Sequence, residues 1–184
     1  MSRVELLRKS IANATTSTSP VRRVQTASAP TSPFTIDGTS GALTPFGPDV
    51  PLPSRAVHLS GNAAGTHVLL AHNDPSGVTV IALEPNGALD RDVVQPTPVD
   101  VGVFAHQVLT DAVSDSIVFL VTRGIAPAPT TPEKPGAIKE FRFVNGVLAK
   151  VGNVAPAGGF GFQARNLDFH PTKPRVSTLR PPQA

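Results

Sequence analysis

The 184-residue chain has no cysteine, no tryptophan and no tyrosine, and only one methionine. Without thiols it forms neither disulfides nor thiolate metal sites, so packing and hydrogen bonds must hold it together. No stretch approaches the roughly 20 consecutive apolar residues of a membrane-spanning helix, so a soluble chain with no membrane partner is expected. The body also lacks sustained apolar spacing of three to four residues, which excludes long amphipathic helices as its main elements. Aromatic residues make up 5 % of the chain, all of them Phe. Such a chain offers no row of stacking platforms for single-stranded nucleic acid.

Proline and glycine are abundant, at 20 and 15 residues. With 40 % hydrophobic residues they describe a chain that reverses often around a core, which is an all-β composition. The net charge of +3 and pI near 9.8 resemble a nucleic-acid signal only until the charge is divided along the chain. Residues 1–33 hold Arg3, Arg8, Lys9, Arg22 and Arg23 against Glu5, leaving residues 34–184 slightly acidic. No basic stripe is left on the body for a phosphate backbone, so nucleic acid is not an expected partner. The first 33 residues are rich in Arg, Ser, Thr and Ala, as in organellar transit peptides. They lack the apolar core of a secretory signal, and a disordered basic tail in a cytoplasmic protein is the expectation.

From Phe34 onward the sequence repeats a phrase. FTIDGTSGALTPF (34–46), VTVIALEPNGALDRDVV (78–94) and IKEFRFVNGVLAKVGNV (138–154) each read as strand, turn ending in Gly-(Ala/Val)-Leu, strand. Pro85-Asn86-Gly87 and Asn145-Gly146 suit tight reversals because Asn and Gly tolerate positive φ. Between these hairpins a second strand-turn-strand phrase recurs at 55–73, 106–124 and 165–179. Its apolar runs, Val68-Leu69-Leu70 and Ile117-Val118-Phe119-Leu120-Val121, have the look of strands buried on both faces. Gly41, Gly87 and Gly146 follow at intervals of 46 and 59 positions, the longer one containing the insertion IAPAPTTPEKPG. The spacing lies near the roughly 40–50-residue period of propeller blades. The expectation is a partial β-propeller of about three blades over residues 34–184.

Propellers close with roughly four to eight blades, so three units imply a fragment, an oligomer that closes the ring between subunits, or an open stack. A fragment is preferred, because the strand beginning near Arg175 runs into Arg180-Pro181-Pro182, where ladder pairing fails.

AHQVLTDAVSDSIVFLVTRG (105–124), GAIKEFRFVNGVL (136–148) and GGFGFQARNLDFHP (158–171) resemble, in that order, the seven-bladed propeller lactonases that include bacterial 6-phosphogluconolactonase. The more generic VLLAHNDPSGVTVIALEPNGAL (68–89) is similar to a blade phrase of the same family. The resemblance implies hydrolysis of a sugar lactone in carbohydrate metabolism, such as the 6-phosphogluconolactone of the pentose phosphate pathway. It implies a small-molecule substrate and no cofactor. It also implies His106 as proton carrier, Arg165 as the cation at the oxyanion or anionic substrate group, and Arg123 as a substrate-binding residue. Both His106 and Arg165 open a copy of the second phrase, so neighbouring blades would bring them to one end of a central channel. Two positions depart from the family: Asn166 stands where relatives have a second His, and the acidic residue of the next strand has no counterpart before Ala184. The alternatives are a non-catalytic binding or assembly module and a gene fragment whose product does not persist.

The remaining candidates read as structural. His58 has no ligand-type neighbour, and His67 and His72 face opposite sides of one strand. His170 and Asp168 sit at a strand end, with Asp168 placed to bond the turn at 171–173. The GGFGF run at 158–162 lacks the Lys-Ser/Thr of a phosphate loop and precedes a strand, so an inter-blade loop is expected. The Pro-rich 125–136 segment reads as a long loop.

Overall fold

The computed structural model describes residues 30–155, 159 and 161–170, and the backbone of 176–179. The basic tail expected over residues 1–33 lies outside the described residues up to position 29. Thr31 already bridges Val50 as part of the fold.

Every described element is a strand, and all of them pair antiparallel. β1 (Phe34–Ile36) and β2 (Leu43–Pro45) form a hairpin. β3 (Ala56–Gly61), β4 (His67–His72), β5 (Gly77–Leu83) and β6 (Leu89–Asp92) form a four-stranded meander. β7 (Ala105–Thr110), β8 (Ile117–Thr122), β9 (Ala137–Val144) and β10 (Val147–Val154) form a second one. β11 (Asn166–Phe169) pairs with β12 (Val176–Leu179). Both repeated sequence phrases are therefore hairpins: one supplies the first two strands of a blade, the other the last two. Two complete blades lie between an outer half-blade, β1–β2, and an inner half-blade, β11–β12, which is the partial propeller of about three blades. The β9–β10 reversal has Asn145 at φ 50 and Gly146 at φ 84, the geometry that makes Asn-Gly the preferred two-residue turn. Gly146 is also required sterically, because a Cβ there would come within 2.9 Å of Val93.

The alternation of side chains along a strand explains how the sheets stack. Leu69 and Ala71 of β4 project from one face, with Val80, into a cluster with Val108, Val118, Leu120, Phe141 and Phe143 of the second blade. Val68 and Leu70 project from the other face toward Val50, Leu52 and Leu59. In the second blade, Phe119 turns away from the first cluster and meets Phe169 of β11 edge-on, ring centroids 5.8 Å apart. The first blade is thus covered on both faces, as the continuous apolar run in β4 requires, while in β8 Ile117 and Phe119 stay half-buried on the face toward β11.

Polar contacts join the blades where the chain crosses between them. Ser60 Oγ donates to the Val108 carbonyl at 2.8 Å within the core. In the 93–104 crossover, Gln95 accepts from Leu148 N and donates to the Gly146 carbonyl. Asp100 takes both Lys139 (3.0 Å) and Lys150 (2.8 Å), and hydrogen bonds from these two ammonium groups hold its carboxyl down at about 2.

Candidate functional site

In an antiparallel meander, the start of the first strand, the end of the second and the start of the third share one end of the blade. His106 at the start of β7, Arg123 after β8, and Arg165 before β11 therefore share an end, and Asn73 after β4 joins them. The first strands β3, β7 and β11 lie side by side, so this end of the sheets converges on a small region.

His106 occupies a β-bulge. Ala105 pairs with Thr122 and Gln107 with Val121, leaving His106 with no residue opposite it. A bulge frees a side chain from the ladder and re-aims it. Its Nδ1 lies 3.2 Å from the Arg165 carbonyl oxygen, across 59 positions of sequence. A carbonyl only accepts, so Nδ1 carries the proton in this bond, and neutral His106 has its lone pair on Nε2. Burial pushes the pKa of His106 below 6.5; the hydrogen bond to the Arg165 carbonyl opposes this, and the cationic side chains of Arg165 and Arg123 add to it. A lowered pKa keeps the imidazole neutral near pH 7, as a proton acceptor requires.

Arg123 is held through its backbone on two sides: its N–H donates to the Phe104 carbonyl at 3.0 Å, and its carbonyl accepts from Gln163 N at 2.6 Å. Its guanidinium lies 5.7 Å from the centre of the Phe104 ring, and Nη1 donates to Asn73 Oδ1 at 3.4 Å. Nε is buried without a hydrogen-bond partner. Among the described residues no ion pair includes Arg123 or Arg165. Two cations not neutralised by a carboxylate beside a neutral imidazole make a positive site suited to an anionic or oxyanionic group.

The 124–136 segment, which begins directly after Arg123, folds back on itself through the bridges Ile125↔Lys134 and Ala128↔Thr131. Glu133 Oε1 accepts from Gly161 N at 2.5 Å, and Gly136 N donates to the Gly161 carbonyl. The expected plain loop is thus a narrow double-back pinned to the segment before β11.

The structure brings His106, Arg123 and Arg165 to one place. Asn166 begins β11 exposed, and the Asp168 carboxylate accepts from Phe169 N at 2.8 Å. The 171–173 turn assigned to Asp168 lies outside the described residues. His67 and His72 sit at opposite ends of β4: His67 packs edge-on against Phe143, and buried His72 bonds Thr79 Oγ1 through Nε2 at 2.9 Å. Sequence reasoning missed Asn73, Phe104, Gln107 and Glu133. Asn73 had a signal, since it follows β4 as Arg123 follows β8. Glu133 had none, because its partner lies 28 residues away across a loop.

No family model and no curated protein matches this chain in sequence. Among solved structures, its fold is that of a Bacteroides uniformis protein provisionally named a 6-phosphogluconolactonase: TM-score 0.63, 15 % identity, over 82 % of this chain and 41 % of that one. A periplasmic gluconolactonase of Pseudomonas aeruginosa, PpgL, is similar at TM-score 0.45 and 18 % identity, over 76 % of this chain and 54 % of that one. The class that the fold defines is an all-β partial propeller of antiparallel blades. The chain spans about two fifths of the length of the Bacteroides protein.

Proposed function

We propose that this end of the blades binds and hydrolyses a sugar lactone, 6-phosphogluconolactone being the representative substrate. The observation that carries the reading is the contact between His106 Nδ1 and the Arg165 carbonyl, which sets the imidazole against the backbone of Arg165 from a different blade. His106 Nε2 takes a proton as water attacks the lactone carbonyl carbon, and Arg165 or Arg123 stabilises the oxyanion. Collapse breaks the bond from the acyl carbon to the ring oxygen, which takes the proton back from His106. The product is an open-chain hydroxy acid. The lactonase-like fold supports the reading as analogy only, since a fold hosts many chemistries.

Lactone opening by the purified chain, followed by acid release, is expected to exceed the buffer rate. His106→Ala should lower it about 100-fold and Arg165→Met by a similar factor. Because the neutral imidazole is the active form, the rate should fall as pH drops through the lowered pKa of His106 and level off above it. Turnover no faster than buffer would remove the catalytic reading. The absence, among the described hydrogen bonds, of any carboxylate on His106 favours a second reading in that event, a non-catalytic module that binds sugar acids. Calorimetric titration with an aldonate would then detect binding sensitive to Arg123→Met.

A further inference from the structure

Beside His106 lies a polar group that the proposed reaction does not use. Gln107 on β7 is 9 % exposed, and its Oε1 accepts from Leu167 N at 2.5 Å. Leu167 is itself buried, in the short strand β11. An amide N–H removed from water costs free energy unless it is paired, and Gln107 supplies the partner. Leu167 is two residues past Arg165, whose carbonyl orients the His106 ring. Two bonds between β7 and the start of β11 therefore act in parallel, one from the backbone of β11 to Gln107 and one from His106 to the backbone of β11.

We propose that Gln107 is a positioning residue: its carbonyl oxygen fixes the start of β11 against β7, and so keeps the Arg165 carbonyl where it holds His106 as the Nδ1–H tautomer. The proposal rests on the reading of His106 and Arg165 as the working pair, but its primary readout is independent of turnover. Gln107→Met removes the acceptor at similar volume, and Gln107→Glu retains an acceptor oxygen. In the full chain labelled with 15N, the wild type should show His106 predominantly protonated on Nδ1. Gln107→Met should shift the imidazole toward Nε2–H and speed exchange of the Leu167 amide by at least about tenfold, while Gln107→Glu keeps Leu167 protected. Where the wild type turns over lactone, Gln107→Met should lower kcat about tenfold or more and leave KM within about twofold, as a displaced catalytic group does.

A Gln107→Met protein with wild-type His106 tautomer and wild-type Leu167 exchange overturns the proposal, whatever its activity. If Gln107→Met does not fold, Gln107→Glu decides: loss of Leu167 protection despite the retained oxygen counts against it, and preserved protection with preserved tautomer counts for it. Absence of turnover with the tautomer shift present would overturn the lactonase reading and leave the positioning role standing.

Discussion

Asp115 has a left-handed backbone, φ 53, that residues other than glycine seldom adopt. In the turn after β7 its carboxylate accepts from Ala63 N (2.9 Å), Ala64 N (3.0 Å) and Asn62 Nδ2 (2.7 Å), all in the turn after β3. One side chain thus satisfies two backbone donors of the neighbouring blade, at the end remote from His106. Asp115→Ala should destabilise the chain by about 2 kcal/mol, read as a lower urea midpoint, with Asp115→Asn intermediate because it keeps one acceptor oxygen. Lactone turnover should be unchanged when measured well below the midpoint. A midpoint equal to wild type would show that water replaces the clasp without loss.

The crossover from β8 to β9 depends on the backbone at its base. Gly124 has φ 70, and a Cβ there would stand 2.2 Å from the Lys134 carbonyl oxygen and 2.5 Å from Gly136 N. Gly124→Ala therefore meets both a strained conformation and backbone atoms that cannot swing aside. It should lower stability by about 2 to 3 kcal/mol in chemical denaturation. It should also loosen the Arg123 carbonyl from Gln163 N, because those bonds flank the same base. Faster proteolysis within 124–136 is the second expected sign; a variant as resistant as wild type would show that the double-back tolerates opening at its base. No helix among the described residues is long and apolar enough to cross a membrane.

Among the described residues, burial is the chief cause that holds His67, His72 and His106 below the ordinary 6.5. Asp115 opposes the shift at His67. At His72 the backbone acceptors of Ser54 and Arg55 and then the Asp92 carboxylate oppose it, and the pKa of Asp92 is itself raised by burial. At His106 the Arg165 and Arg123 cations reinforce it. Between the lowered folded values and 6.5 the unfolded chain binds more protons, so stability rises with pH through that window and falls on acidification. Melting temperature should therefore drop from pH 7.5 to pH 5. His72→Asn should flatten part of the slope while lowering stability throughout. Asp100 acts in a more acidic window: with its carboxyl at about 2 against an ordinary 3.8, its stabilising effect is present above 3.8 and lost as pH falls toward 2. A melting temperature flat from pH 7.5 to 5 would contradict the histidine argument.

The sequence by itself determined the strand-turn-strand phrases, because Asn145-Gly146 and Gly87 mark where strands must reverse and alternation marks what they bury. It also showed the blade period; His106, Arg123 and Arg165 came from the resemblance to propeller lactonases, with repeat position placing His106 and Arg165 at one end of the sheets. Only the tertiary structure decided what those side chains touch. The bulge at His106 depends on its pairing with β8, the Arg165 carbonyl arrives from 59 residues away, and Gln107 reads as an ordinary strand residue until Leu167 N is placed against it. Contacts of that length follow from how blades stack, and a local pattern of residue types carries no record of which backbone amide a neighbouring blade will present.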